Sequence, residues 1–437
     1  MKITKSMKNT TTDLLKYLDN SPTAPHAVET TKEILKADGF IQICEKDEWD
    51  LKPGNKFYTV RNNTALIAGI IGNKPIIDTG FHVIGAHTDS PGFRIKSNSV
   101  YEKEGYIQLG VEIYGGPLLA TWTDRDLTLA GKIVVEENGN LSTKFWKSNK
   151  TLVRIPNVAI HMDREVNDKG LILDKEKHLP PVIGLAGDKP FTKENLTKLI
   201  ADELKLSADK IIEFELEIVD TQDAAFFGIN DDFFVSGRID NLMMCHAAIS
   251  AITGLDSTPE ETIVVSLFDA EEIGSATMNG GGSPYLGHIL ERLMLTQDYS
   301  REDFLRAIAK SFVLSADGAH AVHPNYVDFY EGKHLCRLNK GLVIKLNAKQ
   351  RYASGPETTA EIELLAKKVN VPTQKYIHRV DKPCGSTIGP ITATNYGIRT
   401  ADIGHPMVSM HSIREMAGSA DQYYMIEFMK EFVKSEI

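Results

Sequence analysis

The feature that most constrains this chain is a set of short apolar runs that end in acids or histidines. "VIGA" runs into His87 and Asp89, "TIVVSLF" into Asp269-Ala270-Glu271-Glu272, and "FVLSA" into Asp317. These runs are nearly continuous rather than alternating, the pattern of strands covered on both faces. The segments "NLMMCHAAISAIT", "ETTAEIELLAKKVNV" and "DQYYMIEFMKEFVKS" read as helices. At the N-terminus Leu14, Leu15 and Leu18 mark one helical face. Val28, Ile34 and Leu35 mark a second, beyond the Pro22–Pro25 break as the stretch "SPTAP" reads. Strands interleaved with helices predict an α/β fold whose ligand crevice lies at the strand ends.

The alternation is interrupted. "KFYTVRNNTALIAGIIG" reads as a hairpin turning at Asn62-Asn63. From about Phe93 to Asp232 the texture becomes β-rich, with "YIQLGVEIYGG", "LTLAGKIVVEENGNLSTKFW" and "IIEFELEIVD" separated by Gly, Asn and Asp turns. Helical periodicity returns there only around "TKENLTKLIADEL". The expected organisation is a discontinuous α/β domain, residues 1–92 and 233–437, interrupted by a β-rich insert at 93–232.

Composition narrows the functional classes. With 49 Lys plus Arg against 59 Asp plus Glu, the formal charge is −10, which argues against nucleic acid as the main partner. No apolar run is long enough to span a bilayer, so no membrane partner is expected. The N-terminus lacks a secretory pattern, and the cysteines, Cys44, Cys245, Cys336 and Cys384, show no C-x-x-C spacing. A cytoplasmic protein with free thiols is expected.

Candidate ligands collect where strands end or helices begin: His87, Asp89, Asp240, Glu271, Glu272, Asp317 and His411. Histidine nitrogen mixed with carboxylate oxygen suits zinc, with cobalt or manganese as alternatives. Each residue alone is weak evidence, since a single acid at a strand end is more often a cap. Joint occurrence after apolar runs is what carries weight. His26, His82, His178, His246, His288, His334 and His378 read as ordinary hydrogen-bonded or surface histidines. Met407, Met410 and Met416 read as packing.

At these residues the sequence resembles the M18 metallopeptidases, the family of aspartyl aminopeptidase. The stretches that carry the resemblance are "VIGAHTDSPGFRIK", "GRIDNL", "DAEEIGS", "SADGAHAVHPNY", "KLNAKQRYAS", "CGSTIGPI" and "MHSIREMAG", which occur in the family's order. The resemblance implies an α/β, mixed-sheet metallo-exopeptidase domain with an inserted β-rich dimerisation domain. It implies dimers assembling into a tetrahedral dodecamer. It also implies two divalent metal ions per subunit, with Asp240 bridging them and His87, Asp317, Glu272 and His411 completing the ligands. Glu271 falls on the general base, and Asp89 on the residue that orients His87. On the substrate side, Lys345 and Tyr352 match residues that contact the N-terminal residue, Lys345 favouring acidic side chains. His320 matches a histidine near the bound peptide, and His161 one that a neighbouring subunit lends. The expected activity is removal of acidic N-terminal residues from peptides. Its alternatives are broader N-terminal specificity, another dinuclear hydrolase such as a deacetylase or carboxypeptidase, and a non-catalytic assembly protein on the same scaffold.

Overall fold

The computed structural model describes residues 2–436. Two compact units emerge. The first comprises the chain up to Asp89, Ala224–Met410 and the chain from Glu415 onward; the second comprises Ser90–Asp223 and His411–Arg414.

The first unit is built on a nine-stranded mixed sheet. Its spatial order is Ile41–Gln42, Lys56–Arg61, Ala65–Ile70, Thr262–Phe268, Phe81–His87, Phe312–Ala316, Arg399–Gly404, Leu342–Leu346 and Thr373–Ile377. The four central strands from Thr262–Phe268 to Arg399–Gly404 run parallel to one another. Both faces are covered, and the two-residue period of the strands decides which side chain serves which face. Ile263, Val265, Leu267, Ile84 and Ala86 join helices Lys5–Asp19, Ala24–Ala37, Ile239–Ile252, Pro356–Lys368 and Asp421–Lys434 in one core. Val264, Phe268, Phe81 and Val83 join helices Tyr285–Leu295 and Arg301–Lys310 in another.

The hairpin at Asn62-Asn63 forms as its sequence suggests. Arg61 pairs with Ala65, and both asparagines take positive φ, 52° and 59°, which these side chains tolerate. A smaller five-stranded sheet, Ala225–Phe227, Phe233–Ser236, Glu415–Gly418, Pro406–Val408 and Ala319–His320, completes this unit.

The second unit holds a six-stranded antiparallel sheet in the order Asn140–Lys147, Leu127–Glu137, Ile211–Asp220, Gly92–Lys103, Tyr106–Tyr114 and Val182–Leu185. Helix Lys193–Leu204 contributes Leu196 and Ile200 to its core, alongside Leu129, Ile133, Trp146 and Leu216. The contact boundaries differ from the 93–232 reading at the far end. Strand Ala225–Phe227 pairs with Phe233–Ser236, whose Phe234 pairs with Ala417, so Ala225–Phe227 joins the first unit together with the strand already expected there. Residues 411–414 belong with the second, where Ile413 enters the apolar core.

Candidate active site

Three parallel strands end side by side and deliver the site. His87 is the last residue of Phe81–His87 and stands in register with Phe268, the last of Thr262–Phe268. Beyond Phe268, after Asp269 and Ala270, the chain makes a short 3-10 turn, Glu271–Ile273. Asp317 directly follows Phe312–Ala316. Asp240 enters from the first turn of helix Ile239–Ile252, and its peptide bond to Asn241 is cis. Its N–H donates to Glu415 Oε2 at 3.0 Å, and Asn241 Nδ2 donates to the Ala316 carbonyl at 2.9 Å. Gly318 leaves room for this approach: a Cβ there would lie 3.3 Å from Asp240 Oδ1 and 2.9 Å from Met407 Sδ.

Carboxylates converge on one imidazole nitrogen. His87 Nε2 lies 3.6 Å from Asp240 Oδ1, 3.7 Å from Asp317 Oδ1 and 3.9 Å from Glu271 Oε2. Ligand atoms of His87, Asp240 and Asp317 fall within 4.8 Å of one another, as do those of His87, Glu271 and Glu272, and a Glu272 oxygen is equally close to Asp240. His87, Asp240 and Asp317 are buried. The other ring nitrogen, Nδ1, lies 3.0 Å from the Asp89 carbonyl oxygen. A carbonyl only accepts, so Nδ1 carries a proton and Nε2 can present its lone pair to the carboxylates. An array of lone pairs needs a cation at its centre. Ligands at about 2.0–2.1 Å from a tetrahedral zinc stand roughly 3.3 Å apart, close to the spacing found. The donor set therefore fits a divalent metal.

The electrostatics reflect the same crowding. Burial, then the charges of Asp317, Asp240 and Asp89, push the Glu271 carboxyl up to about 8, against the opposing pull of His87. Burial alone would raise Asp317, but Lys345 and His87 hold it below the ordinary carboxylate range. Burial would lower His87, yet Asp317 and Asp89 raise it well above the usual imidazole value: the acids call for a positive charge at Nε2, which a metal ion would supply in place of a second proton.

Asp89 acts more broadly than the sequence suggests. Its carboxylate approaches His87 Nδ1 at 3.4 Å. The same carboxylate also accepts the N–H groups of Glu271 and Glu272, each at 3.1 Å.

Lys345 is 3% exposed, with Nζ 3.7 Å from Asp317 Oδ2 and 5.4 Å from the centre of the Tyr352 ring. Tyr352 is buried, and its hydroxyl lies 3.5 Å from Cys384 Sγ. His320 is half-buried, its ring 5.7 Å from that of Tyr376. Tyr376, Cys336 and Cys384 pack with Tyr352 in a small apolar cluster. Tyr376 falls on a short edge strand without any motif signal. The stretch "CGSTIGPI" was the available signal for Cys384.

Two expected residues sit in the second unit. His411, with φ 68°, has Nδ1 3.0 Å from the Gly116 carbonyl oxygen. His161 is exposed in a turn outside the sheet.

Residues 17–433 match the family model described as aminopeptidase I zinc metalloprotease (M18). A probable M18 family aminopeptidase 2 of Stutzerimonas stutzeri is 42% identical over 424 residues, 97% of each chain. A chain in the cryo-EM structure of the Ape4 and Nbr1 complex is 38% identical, with a TM-score of 0.94 over 99% of this chain and 88% of that one. The mApe1 dodecamer of S. cerevisiae is 28% identical, with a TM-score of 0.84 over 98% and 97% of the two chains. With the fold, the carboxylate-histidine cluster and these likenesses agreeing along nearly the whole sequence, the chain belongs to the M18 family of zinc metalloaminopeptidases.

Proposed function

We propose that the protein is a dinuclear metalloaminopeptidase that releases acidic N-terminal residues from peptides. The observation that carries this reading is the convergence of Asp240, Asp317 and Glu271 on His87 Nε2, with the Lys345 ammonium beside Asp317. His87, Asp240, Glu272 and Asp317 would hold the ions, and the family pattern adds His411. Two bound divalent ions supply polarisation of the scissile carbonyl and a water acidic enough to be deprotonated near neutral pH.

The chain's own residues do the rest. Glu271 takes the water's proton and passes it to the leaving amine, acting as base and then acid. Asp89 fixes the turn that carries Glu271 and Glu272, so the base and the ligand face different atoms. Lys345 meets the carboxylate of an N-terminal Asp or Glu, and Tyr352 packs beneath it. The second unit serves as a dimerisation domain and offers His161 to a neighbouring subunit. The S. cerevisiae relative's dodecamer supports an assembly of the same kind. The place of action is the cytoplasm.

One observation favours broader specificity as a second reading. Lys345 is nearly buried and already has Asp317 as a partner, which offsets part of its charge. Release rates from Asp-, Glu-, Leu- and Lys-aminoacyl anilides, with wild type and Lys345→Ala, separate the two. The acidic reading expects Asp and Glu to exceed Leu by about tenfold or more and Lys345→Ala to erase the gap. Equal rates for Leu and Asp in wild type would leave the broader reading standing.

A further inference from the structure

Asp402 sits in the strand Arg399–Gly404 and is fully buried, yet it is a carboxylate. Burying an acid is costly unless donors surround it, and an apolar side chain would fill a core more cheaply. Here the donors come from three separate segments. Oδ1 accepts the hydroxyls of Ser315 and Thr387, each at 2.6 Å. Oδ2 accepts the N–H of Ala353 at 2.6 Å. Asp402 also donates its own N–H to Ser354 Oγ at 2.8 Å. Thr387 stands at the N-cap position of helix Ile388–Tyr396, whose N-terminal end favours a negative charge. Gly389 lets that end come close, since a Cβ there would lie 2.3 Å from Asp402 Oδ2.

The tethered segments share one neighbourhood. Ala353 follows Tyr352 directly. Thr387 closes the loop that carries Cys384, whose Sγ touches the Tyr352 hydroxyl. Arg351 Nε donates to the Cys384 carbonyl and Ser386 Oγ to the Arg351 carbonyl, each at 3.2 Å, so the two segments also bind each other. Ser315 lies two residues before Asp317. The bonds to Ala353 and Thr387 thus hold the two segments that carry Tyr352 and Cys384.

We propose that Asp402 is a positioning residue: it locks the Tyr352 segment and the Cys384–Thr387 loop into the wall that receives the N-terminal side chain, and so governs substrate affinity. This rests on the aminopeptidase reading for the pocket's purpose.

The test pairs alkylation with kinetics. The cysteines report on different places: Cys44 is exposed, Cys384 half-buried, Cys245 and Cys336 buried. Iodoacetamide labelling of the metal-loaded protein, followed by mass spectrometry, gives a rate for each. Thr387→Val keeps side-chain size and removes one tether. It should speed Cys384 labelling about fivefold and raise KM for an Asp-anilide about fivefold, with kcat within about twofold. Asp402→Ala should exceed both effects. Asp402→Asn should recover most of them, because its oxygen can face Ala353 N–H while the two hydroxyls turn to accept from its amide. Cys384 labelling unchanged in both Thr387→Val and Asp402→Ala would overturn the proposal. So would Cys245 labelling that rises in step with Cys384, which marks general loosening of the core. If wild type releases no N-terminal residue, the peptidase reading fails, and the labelling rates still decide whether Asp402 holds the wall.

Discussion

Asp89 Oδ1 accepts the backbone N–H of Glu271 at 3.1 Å, which ties the end of one strand to the turn following its neighbour. The second oxygen holds Glu272 in the same way. An acid beside two other acids is tolerable here because it binds their main chain, not their side chains. Asp89→Asn keeps one acceptor and turns an N–H₂ toward the other backbone donor. Turnover should fall about 10–100-fold while most of the metal is retained. Steady-state kinetics beside elemental analysis checks this; full activity would show that the turn holds its shape without Asp89.

Glu271→Gln removes the proton carrier and preserves the side-chain volume. Metal content should stay at the wild-type value while kcat falls by about 10³ or more. Loss of metal together with activity would instead make Glu271 a ligand.

His87 stood out in the sequence because an apolar run announces a buried strand, and a polar residue ending such a run must have a use at the strand's edge. The same reasoning reached Asp317 and the glutamate pair. Asp240 was readable as an acid just ahead of a helix, in the stretch "GRIDNL" that carries the family resemblance. Two things were not legible. Phe226 lies in a strand that looks like those of the insert, and its allegiance is set by pairing with Phe234, which pairs in turn with Ala417, far along the chain. Ile413 returns to the insert's core from a four-residue segment too short to carry any periodicity. Asp402 was invisible for a related reason: an isolated acid in the strand "RTADIG" shows no spacing that reveals three donors from elsewhere.

Metal removal should weaken the fold as well as the activity. Asp240, Asp317, Glu271 and Glu272 crowd around His87, and without a cation their mutual repulsion falls on the loops that carry them. A ligand present at 100–1,000 times its Kd stabilises by roughly 3–4 kcal/mol. Dialysis against a chelator should therefore lower Tm by several degrees and abolish turnover. Zinc, cobalt or manganese added back should restore both. A Tm unmoved by chelation would mean that this cluster holds no ion in the folded protein.

Acid should destabilise the protein through histidines that take no part in the site. His82, His246 and His405 are buried, and burial lowers each to about 4 from an ordinary 6.5. His246 Nδ1 lies 2.9 Å from Gln422 Nε2, which can only donate, so the folded state selects the neutral ring. Between pH 6.5 and 4 the unfolded chain binds the extra protons, and stability falls as pH falls through that window. It is fully present above 6.5. At pH 5 each histidine costs about 2 kcal/mol relative to pH 7.5. Urea midpoints at the two pH values measure the total. His246→Asn keeps an acceptor for Gln422 and removes the titration, so its midpoint should shift less between the two pH values than wild type, by the equivalent of about 2 kcal/mol. Metal terms cancel in this difference because both proteins carry the same ligands. Equal shifts in the two proteins would show that His246 is protonated in the folded state as readily as in the unfolded chain.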